Sequence, residues 1–266
     1  MSMTELTVYQ IDAFSDRPFA GNPAGVVPLQ AWLPDATMQA IAAEMNLAET
    51  AFFAPEGDHH RIRWFTPTTE VPLCGHATLA SAHVLIHALG FSGEKIVFDS
   101  LSGPLSVMKA GAKLELDFPK HATRPQPEAL AKVAACFDVK PVEMHVAESY
   151  DAYLALYEKA ADIAPLKPDF AALNALDRTV IVTARGEGDV DFVSRYFAPT
   201  AGIPEDPVTG STHCVLTPFW SQILGKTALH ARQVSRRGGD LWLKVDGDRV
   251  KIAGHSVAVL KGTLSV

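Results

Sequence analysis

The chain has 266 residues, of which 48% are apolar and 20% charged, with a formal net charge of -7. That size suits two ordinary domains with substantial cores. The negative balance, relieved only by the short basic cluster Ser235-Arg236-Arg237-Gly238-Gly239 among turn formers, excludes a broad nucleic-acid surface.

In chain order, the opening MSMTELTVYQIDAF has neither the basic n-region nor the long apolar stretch of a leader, and no apolar run approaches the ~18 residues that span a bilayer. Cys74, Cys136 and Cys214 form no C-x-x-C pair, so neither a disulfide framework nor a zinc ribbon is expected. A cytoplasmic protein without membrane or nucleic-acid partners follows. Short β-branched, aromatic or alternating segments predict strands over residues 6–14, 50–54, 61–65, 95–99, 114–118, 179–184, 241–245 and 249–253, with Asp246-Gly247-Asp248 as a hairpin turn between the last two. Amphipathic helices are expected over 35–45 and 127–137.

Part of the chain repeats. Arg63-Trp64-Phe65-Thr66-Pro67-Thr68, followed by Pro72, recurs 132 residues on as Arg195-Tyr196-Phe197-Ala198-Pro199-Thr200, followed by Pro204. After three extra residues in the second copy, Gly75-His76-Ala77-Thr78 falls opposite Gly210-Ser211-Thr212-His213. Each copy then enters an apolar run, LASAHVLIHAL ended by Gly90 and CVLTPFWSQIL ended by Gly225. Glycine past the last periodic residue is a helix stop, and Pro218 is expected to kink or divide the second helix. The pattern predicts an α+β protein of two similar domains, each a curved, mostly antiparallel sheet around a central apolar helix. Their boundaries are expected at 1–118 and 119–254, with Lys120 to Pro125 as the linker and the last strand, 255–266, free to pair in either domain.

Duplicated domains would present two helix starts to one cleft, and a helix N-terminus with its unpaired N–H groups suits a substrate carboxylate. Gly75 and Gly210 permit close backbone approach there. Ser211 reads either as an N-cap or as a donor to substrate, and His76 as a neutral imidazole. His83 and His87, at i and i+4, with His76 seven residues earlier, have metal-ligand spacing. No carboxylate lies in that helix, and no metal is expected. Glu49 brings a charge to the edge of the apolar strand Thr50-Ala51-Phe52-Phe53, where burial would raise its pKa towards that of a general base. Asp206 stands just before the second helix, as a turn former or a site residue. Cys74 reads as a reactive thiol at a helix start or as a packed one; its counterpart is Thr209, so a symmetric thiol pair is absent.

DAFSDRPFAGNPAGVV, NLAETAFF, RIRWFTPTTEVPLCGHATLASAHVL and EDPVTGSTHC together resemble the phenazine-biosynthesis PhzF-like family, whose members share the diaminopimelate epimerase fold. Gly21-Asn22-Pro23-Ala24-Gly25 belongs to the resemblance and lacks the Gly-Lys-Ser/Thr ending of a P-loop. The resemblance implies two barrel-like domains with the active site between them, and cofactor-independent movement of a proton between carbons of a small carboxylic acid. It places the glutamate base on Glu49 and the family's histidine, aspartate and serine on His76, Asp206 and Ser211, with Asn22, Gly75 and Gly210 expected to bind substrate. It also implies a homodimer. A racemase or epimerase using Cys74, and a non-catalytic binding protein on the same fold, are the alternatives.

Overall fold

The computed structural model describes residues 4–266; the first three residues of the stretch read for a leader lie outside it. The chain divides into two compact units, Met1–Asp117 with Ala253–Val266, and Phe118–Ile252.

The first unit contains β1 (Glu5–Ala13), β2 (Asn22–Pro28), α1 (Asp35–Met45), β3 (Glu49–Glu56), β4 (His59–Phe65), the short β5 (Glu70–Val71), α2 (Gly75–His87), β6 (Lys95–Ser100), β7 (Gly103–Ala110) and β8 (Lys113–Pro119). The last strand of the chain, β18 (Ser256–Ser265), pairs antiparallel with β1 along its whole length, from Glu5 opposite Ser265 to Ala13 opposite Ser256. From β18 the order runs β1, β2, β3, β4, β6, β7, β8; the β2–β3 and β4–β6 pairings are parallel and the others antiparallel.

The second unit contains β9 (Arg124–Pro125), α3 (Leu130–Ala134), β10 (Glu143–Ala147), β11 (Ala152–Leu156), α4 (Ala160–Ile163), α5 (Phe170–Asn174), β12 (Thr179–Arg185), β13 (Phe192–Ala198), β14 (Ile203–Asp206), α6 (His213–Leu224), β15 (Ala228–Gln233), β16 (Gly239–Asp246) and β17 (Arg249–Gly254). Its pairings repeat those of the first unit: β9–β10–β11 antiparallel, β11–β12 parallel, β12–β13 antiparallel, β13–β15 parallel and β15–β16 antiparallel. Gly247, at φ +62°, turns the chain from β16 into β17. The expected α+β class with mostly antiparallel sheets is the architecture found.

Helix α2 is buried on nearly every side, from His76 through Ala82 and again at Val84 and Leu85. Ala77, Ala80 and Ala82 let strands approach closely, while Leu79, Val84 and Leu85 each contribute roughly 1.5–3 kcal/mol of burial. The two hydroxyls in that apolar setting are satisfied by the preceding turn: Thr78 Oγ1 donates to Cys74 O and Ser81 Oγ to Ala77 O. Helix α6 runs undivided through Pro218, so of the expected kink or division the division does not occur. Proline has no N–H to donate to the carbonyl four residues back, and here that carbonyl, Cys214 O, accepts instead from His121 N at 2.9 Å. The helix expected over 127–137 is reduced to a 3-10 turn, Pro127–Ala129, and α3.

The repeat is also visible in its ion pairs. Arg63 grips Glu70 through Nε and Nη2, both at 2.7 Å, and Arg195 grips Glu205 in the same way at 2.7 and 2.9 Å. Each fork ties the repeated aromatic strand to the short strand leading into the helix; with Glu205 as the counterpart of Glu70 the extra residues fall before it, so Pro204 is not the structural counterpart of Pro72.

Candidate active site

In the first unit the site begins where β1 turns into β2. Gly21 holds φ +68° there, and a β-carbon on it would lie 2.2 Å from Ala13 O; only glycine makes that turn. Phe19 N is held by Asp12 Oδ2 at 2.7 Å. The turn sets Asn22, fully buried, at the head of β2. The parallel neighbour β3 starts at Glu49, which stands opposite Ala24, directly before the buried run Thr50-Ala51-Phe52-Phe53. The strand β5 then delivers Cys74, Gly75 and His76 to the start of α2, with Gly75 as its first residue.

These side chains converge on the imidazole. Asn22 Nδ2 lies 3.2 Å from His76 Nδ1. An amide nitrogen donates, so Nδ1 accepts and the ring proton belongs on Nε2. Nε2 faces Glu49 Oε2 at 3.4 Å, with the side chains 6% and 13% exposed, so the imidazole is enclosed while the carboxylate keeps an opening to solvent. Burial drives the His76 pKa down to about 3, and the helix start adds to the penalty on imidazolium; the ring is neutral at ordinary pH. Cys74 is buried, with Sγ 3.4 Å from His76 Nδ1.

Among the described residues, Glu49, Cys74 and His76 each bring one ligand-type atom within 4.8 Å of the others. The histidine spacing in α2 pointed elsewhere. His83 Nδ1 lies 2.8 Å from Ser256 Oγ, and His87 packs on His83 with ring centroids 4.5 Å apart.

In the second unit Asp206 closes β14 and is buried; its Oδ2 accepts from Thr209 Oγ1. Gln233, fully buried at the end of β15, clamps the segment from beneath: Nε2 donates to Asp206 O at 2.8 Å, and Oε1 accepts from Thr209 N at 2.9 Å. Gly210 O accepts from His213 N at 3.0 Å. Ser211 lies in the turn ahead of α6, whose cap position is Thr212, and its Oγ lies 2.7 Å from the Tyr150 hydroxyl. Tyr150 and Gln233 escaped sequence reading because neither sits in a motif; the strand pairing that reveals them joins residues far apart in the chain.

The duplicated sheet wrapped on a buried helix, with a carboxylate and a neutral histidine at the helix entrance, defines a protein of the isomerase and epimerase class. The sequence model of the phenazine biosynthesis-like PhzC-PhzF family matches residues 11–262. An uncharacterized isomerase of Pseudomonas aeruginosa is 51% identical over 261 residues, covering 98% of each chain. The crystal structure of a PhzF-family phenazine biosynthesis protein from Enterococcus faecalis superposes with a TM-score of 0.95 at 43% identity, covering 99% of this chain and 100% of that one. A hydroxyproline epimerase from Agrobacterium vitis, solved with trans-4-hydroxy-L-proline, shares the fold at 7% identity and a TM-score of 0.60, over 98% of this chain and 93% of its own. The chain belongs to the PhzF-like family of isomerases.

Proposed function

We propose that this enzyme moves a proton from one carbon to another of a small carboxylic acid, cyclic acids included, without a cofactor, and that Glu49 is the group that carries it. The observation that supports this reading is the pairing of a partly open carboxylate with a neutral, enclosed imidazole 3.4 Å away. In the first step a Glu49 oxygen takes the proton and the C–H electron pair moves into the substrate's conjugated system, leaving charge on its carboxylate. In the second, the neutral carboxyl of Glu49 returns that proton to the other carbon as the electrons move back. His76, protonated on Nε2 and fixed by Asn22, offers that one ring proton to the substrate beside Glu49. Ser211, with the backbone at Gly75 and Gly210, is assigned to holding the substrate carboxylate, and Asp206 to orienting the substrate by accepting a hydrogen bond from it.

The cysteine alternative has less support. Cys74 is buried, and the position of a partner thiol holds Thr209, whose hydroxyl is given to Asp206. A homodimer accompanies the proposal on the family resemblance alone, and a cytoplasmic setting on the widely spaced cysteines without a C-x-x-C pair; sedimentation checks the dimer.

The test is proton NMR in D2O with a panel of cyclic and amino carboxylic acids, reading deuterium bound to carbon. The wild type should exchange with at least one acid, and Glu49→Gln should lose about 10²–10⁴-fold in rate, with the fold intact by circular dichroism. Exchange unchanged in Glu49→Gln removes the base. No exchange with any acid favours a binding protein.

A further inference from the structure

The repeat extends beyond its recognisable motif when it is followed through strand register. Arg63, Trp64 and Phe65 in β4 face Phe52, Ala51 and Thr50 in β3; their counterparts Arg195, Tyr196 and Phe197 in β13 face Val182, Ile181 and Val180 in β12. One residue earlier, Glu49 therefore corresponds to Thr179. Across the parallel pairing Glu49 faces Ala24 and Thr179 faces Ala152. Two residues before those alanines stand Asn22 and Tyr150. The helix starts already match His76 with Ser211. Thus Asn22 touches His76 at 3.2 Å, and its counterpart Tyr150 touches the counterpart of His76, Ser211, at 2.7 Å. One arrangement is used twice with different chemistry.

We propose that Tyr150 is the positioning residue for Ser211, as Asn22 is for His76. It donates its phenol proton to Ser211 Oγ, so that the single serine proton is aimed at the substrate carboxylate. The inference rests on the reading above in assigning that carboxylate to Ser211. A serine hydroxyl has one proton and two lone pairs, and a bound carboxylate only accepts. With the phenol supplying the serine's incoming hydrogen bond, the outgoing one is left for substrate. The ring is held in place by two neighbours. His121 packs on it with centroids 5.5 Å apart, and His121 Nδ1 is itself 2.8 Å from Ser149 Oγ. Tyr196, the cross-strand partner of Asp206, has its ring centroid 6.4 Å away and shares a side-chain hydrogen bond with Tyr150. Burial raises the Tyr150 pKa well above the usual phenol range, so it stays protonated throughout the working pH.

Three measurements test this. The first is a crystal structure of Tyr150→Phe beside the wild type, each refined well enough to show side-chain rotamers. The proposal expects one Ser211 rotamer in the wild type and two or more in the variant; a single unchanged rotamer in both overturns it. The second is calorimetric binding of benzoate to wild type, Tyr150→Phe, Ser211→Ala and the double variant. Each single change should weaken binding about three- to tenfold, the worth of one hydrogen bond, and the double variant should be no weaker than Ser211→Ala. Independent losses that multiply overturn the proposal. Should benzoate not bind the wild type, the rotamers decide. If Tyr150→Phe does not fold, 3-fluorotyrosine at position 150, a stronger donor, should tighten benzoate binding, and an unchanged affinity overturns the proposal. Glu49→Gln separates this inference from the isomerase reading: it should cut deuterium exchange about 10²–10⁴-fold and leave the Tyr150–Ser211 coupling in benzoate binding intact. Lost exchange with the Tyr150–Ser211 coupling intact concerns Glu49 alone, whereas exchange without that coupling sinks the positioning role alone.

Discussion

Burial holds the pKa of His76 down at about 3 and those of His83, where His87 adds to the effect, and His213 at about 4. For His213 the Nδ1 proton goes to Thr209 O at 2.7 Å, while Nε2 is buried without a hydrogen-bond partner. Each folded-state value lies below the ordinary 6.5. Between the two values the unfolded chain binds protons that the folded chain refuses. The stability they contribute is therefore complete above about pH 6.5 and falls as the pH drops towards 3–4. Urea midpoints should fall between pH 7.5 and 4.5, and His213→Gln should reduce that fall. The cluster of Glu49, Cys74 and His76 has a separate consequence. Micromolar Zn²⁺ should inhibit the deuterium exchange, EDTA should restore it, and Cys74→Ala should weaken the inhibition while leaving metal-free exchange largely intact. Sequence identified these residue types, but not their grouping. The histidine spacing of α2 raises a metal reading that the lack of a carboxylate in that helix counts against, and the actual proximity is created where strand, loop and helix start meet.

Among the elements, the two arginine forks differ in what breaking them should cost. Arg195 is 9% exposed, and its Nη1 also donates to the carbonyls of Ile163 and Leu166 at 3.1 and 2.6 Å. Arg195→Ala strands Glu205 and those carbonyls, and should cost about 3–5 kcal/mol in chemical denaturation. Arg63 is 18% exposed, and its further partner Asp35 is 76% exposed; Arg63→Ala should cost only about 1–2 kcal/mol. The motif that contains both arginines was visible in the sequence, as were α1, the apolar helices and most hairpin strands with alternating residues. Other strands were concealed by their composition. β2 carries Pro23, Gly25 and Pro28, which argue against a strand. β11, AYLAL, is a short apolar run that periodicity cannot separate from buried helix. The parallel pairings β2–β3 and β11–β12 were therefore unreadable, and with them the placement of Asn22 and Tyr150.

At the scale of the whole molecule, the first unit is discontinuous and the second is not. No helix among the described residues is long and apolar enough to cross a membrane. Truncation after Gly254 removes the full-length partner of β1 and should expose the backbone of β1 and β2. Hydrogen exchange should show those strands losing protection, while β10 to β13 keep theirs. Protection retained in β1 would show that β18 is dispensable.

The pairing of β1 with β18 also sets an order of assembly during synthesis. At about 5–20 residues per second, a ribosome needs on the order of 12–50 s after making Ala13 to reach Ser256, the residue it pairs with. Throughout that interval the β1 edge awaits a partner not yet translated, while every strand of the second unit emerges. The half made later can close first, and the half carrying Glu49 and His76 is completed only once β18 has been made.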